Sequence, residues 1–409
     1  MDNIVKSVLN LAVLSATKFP VGLQSRVENV IQTINKSTEV CMIVICGDGG
    51  SGKTTLAKAI YNKIHGTFTE KSFIEDIGQF SGIRGDLRSA EQLFSDVLNK
   101  KVEIDSVKMG RRMIRDILYG KRVLIVLDDV PEFNGSLLHY CRHCLSAGSV
   151  IIITTRNKNL ARTYHNDSVF EVKLMNPNES LELLSWHAFK EAKPNEEFND
   201  IAKTVVSRCG GLPLALEVIG SYLYERTKEE WNRVGLRLPN TSRHGVQDIL
   251  KISFDGLHNK MEKDLFLDVC YSFVGKGRSH ATKILNGCGI DADSGIRVLI
   301  EHSLIQVNKN NKLAMHPLVQ LMGREIIRQI SGNQRGKNSQ LWFDSDPEYV
   351  LSEHRVRTFF IYHFESSFAS GCFLMCNIFV FLSSFHLSRQ KSFRDCAWER
   401  IFSNVILLR

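Results

Sequence analysis

Residues 40–64 read VCMIVICGDGGSGKTTLAKAIYNKI, and this stretch decides the fold. A continuous apolar run, Val40–Cys46, enters a glycine-rich turn. A segment with Leu56, Ile60 and Ile64 at helical spacing leaves it. Gly47-Asp48-Gly49-Gly50-Ser51-Gly52-Lys53-Thr54 fits G-x-x-x-x-G-K-[ST], a motif that acquires meaning between a buried strand and a helix. The residue types explain the chemistry. Glycines let successive backbone N–H groups face one concavity that a side chain would obstruct. A helix starting near Gly52 adds the positive end of its dipole. Lys53 supplies a charge for β- and γ-phosphates, and Thr54 a hydroxyl for Mg²⁺. The candidate phosphate-binding residues are therefore Gly47, Gly49, Gly50, Ser51, Gly52, Lys53, Thr54 and Thr55. The alternative, a glycine turn carrying a surface lysine, does not account for the strand and helix on either side.

Working outward, further strands are expected at Ser72–Ile77, Val123–Leu127, Val150–Thr154 and Phe170–Leu174. The run VLIVL is apolar throughout and VIIIT is apolar up to its closing Thr154, as strands buried on both faces are. An α/β P-loop NTPase domain follows, a parallel sheet with helices on both faces. Asp128 and Asp129 end one strand, where ligands of open parallel sheets gather. Asp128 is the candidate Mg²⁺ ligand beside Thr54, and Asp129 the residue that polarises an attacking water. Thr154-Thr155-Arg156 ends another strand, which lets Arg156 reach a γ-phosphate; a solvated surface arginine is the competing reading. Before the sheet, 1–17 has helical spacing, and a second helix opens at Ser25 and runs to about Ile34. After Asn176 strands nearly vanish. Residues 178–235 read as helices, and 246–330 as helices with one hairpin, Leu304–Val307 and Lys312–Met315.

Composition narrows the class. The chain has 409 residues, 43% of them hydrophobic, and 52 Lys and Arg against 44 Asp and Glu. This is globular usage, too long for one core, so several domains are expected. A net charge of +8, without long like-charged runs, permits a phosphate-bearing partner without requiring nucleic acid. Ten cysteines at irregular spacing and an acidic Asp2 where a secretory leader would be basic fit a reduced, cytoplasmic protein. The pair Cys141 and Cys144 lacks the second pair that structural zinc needs. From Ser366 to Ser388 the chain has no charged side chain and is rich in Phe. That is long enough for a membrane span, but Asn377, His386, Gly371 and six serines make a poorly ordered tail the preferred reading, with membrane contact as the alternative.

The stretches VGLQSRVENV, GDGGSGKTT, KRVLIVLDDV, GSVIIITTRN, GGLPLALEVIG, LFLDVC and MHPLVQLMGREIIR resemble, in order and wording, the NB-ARC nucleotide-binding switch of plant disease-resistance receptors of the TIR-NBS-LRR class. The same architecture occurs in animal apoptotic-protease-activating factors. The resemblance covers about residues 1–345. It implies a linker helix (1–17), a P-loop nucleotide-binding domain (18–175), a helical ARC subdomain with GLPL (176–243), a winged-helix ARC subdomain (244–345) and an atypical tail (346–409). It further implies ADP or ATP as ligand, with Val21, Gly22 and Arg26 against adenine, Pro213 on the nucleoside, and His316 at the ADP β-phosphate. Without the resemblance, His316 reads as a helix cap. Self-association, or association with related receptors in defence signalling, is also implied.

Three departures modify these expectations. The family's Met-His-Asp is here Met315-His316-Pro317, which removes a carboxylate and a backbone donor. The first residues align with the helix that follows a TIR domain, so that domain and its NAD cleavage are not expected. No leucine-rich repeat period is found after residue 345. The reading is thus a truncated ADP/ATP switch, at most a slow ATP hydrolase. An adaptor or decoy remnant and a P-loop ATPase or kinase with genuine turnover are the alternatives. A DNA-binding regulator is disfavoured, because Leu318, Leu321, Met322, Ile326 and Ile330 make an apolar stripe suited to burial.

Overall fold

All six residues of strand β1 (Cys41–Cys46) are buried, as are all five of β3 (Val123–Leu127) and all six of β4 (Val150–Thr155). Such strands need cover on both faces. With β2 (Glu70–Ile74) and β5 (Ser168–Glu171) they form one sheet in the order β2-β3-β4-β1-β5, every neighbouring pair parallel. The computed structural model describes residues 14–79, 83–131, 143–159, 168–239, 245–287, 289–308 and 310–332. The chain divides between Arg243 and His244 into two compact units.

Alternation along each strand sends side chains to opposite faces. Met42, Val44, Ile125, Leu127, Ile151 and Ile153 pack on one side with Leu93 and Phe94 of α3 (Ile83–Leu98) and Ile114 and Leu118 of α4 (Val107–Leu118). Ile43, Ile45, Leu124, Val126 and Ile152 pack on the other with Val30 of α1 (Leu23–Lys36) and Leu56 and Ile60 of α2 (Lys53–Ile64). Each fully buried side chain of this kind contributes roughly 1.5–3 kcal/mol.

The helices that follow carry their own start signals. Asn176 and Glu179 form a reciprocal capping box on α5 (Pro177–Ala188), with proline in the first turn, and Thr227 and Glu230 do the same on α8 (Lys228–Arg237). Such boxes satisfy donors that a helix start leaves orphaned. Between them lie α6 (Asn199–Cys209) and α7 (Pro213–Leu223). Phe189, Phe198 and Trp231 meet with ring centroids 5.2–5.5 Å apart, and join the ends of α5, α6 and α8.

The second unit contains α9 (Gly245–Asp255), α10 (Lys260–Asp268), a π-helical turn at Val269–Phe273, α11 (Arg278–Gly287), α12 (Ala292–Glu301) and α13 (Pro317–Gly332). A short hairpin, β6 (Gln306–Val307) and β7 (Leu313–Ala314), lies between α12 and α13. Leu265, Phe266, Val269, Cys270, Phe273, Ile296 and Leu299 form its interior.

Several sequence expectations need correction. Leu14–Thr17 is not helical; Leu14 instead exchanges two hydrogen bonds with the Asn62 amide, at 2.8 and 2.6 Å. The rest of the expected linker helix lies outside the described residues, as do the tail at 346–409 and Cys141. The second helix begins at Leu23 and continues to Lys36. Strand β2 ends at Ile74, not Ile77, because Asp76 takes a left-handed φ of 55° and turns the chain out of the sheet. Strand β5 ends at Glu171. Past the Val172 bond to the Cys46 carbonyl (2.8 Å), β1 has become the glycine turn and offers no partner.

Buried His187 on α5 has its Nδ1 3.0 Å from Ser221 Oγ and its ring edge against Phe19. Burial, then Lys190 and Lys18, push its pKa down to about 4. The unfolded chain therefore takes up this proton near pH 6.5 and the native protein near 4, so the stability is whole above 6.5 and is lost as pH falls through that window. Urea unfolding is expected to show a loss on the order of 3 kcal/mol from this group, absent from the pH dependence of His187→Gln; identical pH dependences for the two proteins would refute it.

Candidate functional site

Because β1, β3 and β4 run parallel, their carboxyl ends fall on one edge of the sheet, and the site is assembled there. The turn after β1 leads into α2, whose N-cap is Gly52. Gly50 has φ 79°, and a Cβ there would stand 2.9 Å from the Leu214 Cβ; both conformation and space demand glycine. The Leu214 N–H donates to the Gly50 carbonyl at 3.3 Å, which ties the first turn of α7 to the loop. Ser51 is buried, and its hydroxyl has no hydrogen-bond partner. Lys53 is also buried, and its Nζ donates to the Asp48 carbonyl at 2.7 Å. Burial, then the nearby Arg156 charge, push its pKa down to about 8 against the opposing pull of Asp129, Asp128 and Asp48. A buried hydroxyl without a partner and a desolvated ammonium are what an anion would satisfy. Thr54 and Thr55 are half-buried in the first turn of α2.

Asp128, 1% exposed, receives the Thr54 hydroxyl at 2.8 Å on one carboxylate oxygen and 3.1 Å on the other. The Thr154 hydroxyl donates to it at 2.6 Å. Burial raises the Asp128 pKa, and these two hydrogen bonds oppose that. Asp129 has a left-handed φ of 55°. Its carboxylate pairs with Arg156 through two bonds of 3.0 Å. Lys53, Thr54, Asp128, Asp129 and Arg156 thus occupy one edge, with Gly47, Gly49, Gly50 and Ser51 in the adjoining turn.

Val21 is buried and Gly22 has a φ of 63°. Arg26 donates to the Gly22 carbonyl at 2.6 Å and pairs with Glu179 at 2.8 Å. A cleft of about 400 Å³ is lined by Arg26, Val30, Leu56, Phe170, Leu174 and Asn176, among others. Val172 lines it too, and its carbonyl lies 3.3 Å from where a Gly47 Cβ would stand, so cleft and loop adjoin. Pro213 opens α7 and is half-buried; Leu214, not Pro213, supplies the bond to the loop. His316 belongs to the second unit, where its Nδ1 accepts the Leu318 N–H at 3.1 Å and caps α13.

Four participants escaped the sequence reading: Thr154, Leu214, Glu179 and Asp76. Thr154 and Leu214 stand inside motifs that were recognised for their neighbours. Glu179 is visible beforehand only as the third residue of a capping box. Asp76, whose pKa is pushed up to about 6 by burial and by Asp128, Glu75 and Asp129, falls inside the expected strand Ser72–Ile77. Its position at the end of β2, beside β3, was the available signal.

A family model described as the NB-ARC domain matches residues 23–194, and one described as the winged-helix domain of Roq1-like disease resistance proteins matches 259–331. The chain is 38% identical over 340 residues to disease resistance protein RUN1 of Vitis rotundifolia, covering 82% of this chain and 25% of that protein. It is 34% identical over 347 residues to TMV resistance protein N of Nicotiana glutinosa, covering 82% and 29% respectively. It thus spans about a quarter of the length of these relatives. Among the described residues no helix is long and apolar enough to cross a membrane. The chain is therefore a member of the NB-ARC group related to plant disease-resistance proteins, in which a nucleotide-binding P-loop domain is followed by a helical region and a Roq1-like winged-helix domain.

Proposed function

We propose that the chain binds ADP and ATP with Mg²⁺ and acts as a conformational switch in plant defence signalling. The observation that carries this reading is the convergence of the unpartnered Ser51 hydroxyl, the desolvated Lys53 ammonium and the Thr54–Asp128 pair on one sheet edge. Ser51 and the glycine-turn amides donate to phosphate oxygens, and Lys53 exchanges the Asp48 carbonyl for a phosphate. The cleft beside Gly47 receives the nucleoside, with Val21, Gly22 and Arg26 at its N-terminal side and Pro213 on the helix that touches the loop.

Thr54 and Asp128 are the two protein oxygens toward Mg²⁺. Their adjacency suits a small hard cation that takes few protein ligands and completes its shell with water and phosphate. Among the described residues no group of three His, Cys, Asp or Glu could hold a metal. Bound there, Mg²⁺ would neutralise charge on the β- and γ-phosphate oxygens. Asp129 polarises the attacking water. A γ-phosphate competes with Asp129 for the guanidinium of Arg156, which makes this ion pair the element that distinguishes ATP from ADP. Hydrolysis resets the switch and stays below the roughly 1 s⁻¹ of ordinary catalysts.

For His316 the support is the family resemblance alone. The resemblance implies a carboxylate where Pro317 stands, and proline at the start of α13 is compatible with the helix. The ADP-bound state is accordingly less tightly held, and population shifts toward the ATP form. The proposed partners are an adenine nucleotide and related NB-ARC chains.

Mass spectrometry of the nucleotide released from the purified protein is expected to find ADP or ATP. Lys53→Arg should lose at least about tenfold in nucleotide affinity, because a planar guanidinium does not replace an ammonium point charge. Purified protein that is empty, and takes up neither nucleotide at millimolar concentration with Mg²⁺, overturns the reading. In stopped flow, Pro317→Asp should release ADP several-fold more slowly than the natural chain; equal off-rates remove the role given to Pro317.

A further inference from the structure

Thr154 sits on β4, opposite Ile45 of β1 and one residue past the pairing of Ile153 with Leu127 of β3. It is fully buried. Its hydroxyl donates to Asp128 at 2.6 Å and accepts the Asp129 N–H at 2.8 Å, while its carbonyl accepts the Val130 N–H at 2.9 Å. One hydroxyl therefore serves two consecutive acids in different ways: it fixes the carboxylate of the first and the backbone of the second. We infer that Thr154 is a positioning residue that sets Asp128 toward the cation and Asp129 toward Arg156; this deepens the nucleotide-binding reading and rests on it.

The geometry requires both bonds. Asp128 also receives Thr54, the hydroxyl assigned to the cation. Thr154 is thus the anchor that keeps the carboxylate oriented independently of the cation-binding side chain. Asp129 carries a left-handed φ that non-glycine residues rarely adopt. Its N–H is held by Thr154 in that conformation, and its carboxylate then meets the Arg156 guanidinium in two bonds of 3.0 Å. Valine in place of Thr154 keeps the shape and deletes both bonds. Serine keeps both bonds and deletes one methyl. Removal of a group that orients a metal ligand typically costs 10–100-fold in metal affinity or activity.

The test compares Thr154→Val and Thr154→Ser with the natural chain in three measurements: ADP affinity in EDTA, affinity of the ADP-loaded protein for Mn²⁺ by electron paramagnetic resonance, and single-turnover ATP hydrolysis. For Thr154→Val the expected result is ADP affinity in EDTA within about twofold of the natural chain, and Mn²⁺ affinity and hydrolysis each lower by at least about tenfold. Thr154→Ser should recover most of both. Natural Mn²⁺ affinity in Thr154→Val, or a serine variant as impaired as the valine one, overturns the positioning role. If Thr154→Val is insoluble, Thr154→Ala takes its place. Failure of both to fold also overturns the role, since the hydroxyl would then serve the fold. A natural chain that binds no ADP in EDTA or Mg²⁺ instead refutes the nucleotide-binding reading, so the two failures are told apart.

Discussion

Two-sided burial of β1, β3 and β4 is the constraint on which the rest of the first unit depends. A strand whose successive side chains all leave water needs helices above and below. Connections long enough to cross a sheet and return make the strands parallel. Parallel strands end on a common edge, so the glycine turn, the Asp128–Asp129 step and the Thr154–Arg156 step become neighbours although about a hundred residues separate the first from the last. The chemistry is a consequence of apolar packing that itself contains no chemistry.

Much of this was readable beforehand because the informative residues lie in continuous runs. VLIVL is apolar throughout and VIIIT is apolar up to its closing threonine, and G-x-x-x-x-G-K-T fixes a turn between a strand and a helix. The strand ends were harder. The expected strand Ser72–Ile77 runs past Asp76, which turns left-handed, while Asp128 beyond the end of β3 still bonds the Ile74 carbonyl and the Ile77 N–H, a long-range pairing with no local mark in the sequence. Leu14 presents a helical pattern with its neighbours, yet an amide 48 residues away claims its backbone.

Site residues divide along the same line. Those recognised from sequence act through their own side chain at a fixed place in a motif: Lys53, Thr54, Asp128 and Arg156. Those missed act through another residue. Thr154 closes an expected strand, Leu214 stands within GLPL, and Glu179 carries no sequence expectation at all. Their contributions are relational, and only the register of β3 with β4 or the approach of α7 to the loop reveals them. The Arg156–Asp129 pair belongs here too, since the motif locates both residues but not their engagement.

The bond from the Leu214 amide to the Gly50 carbonyl, together with the absence of room for any side chain between them, has a mechanical corollary. A peptide plane in the anion-cradling turn cannot flip without pushing or releasing the tip of a rod, and α7 is such a rod, eleven residues and about 16 Å long. The carbonyl of the turn and the tip of the helix are thereby coupled through a single backbone bond, with no side chain between them.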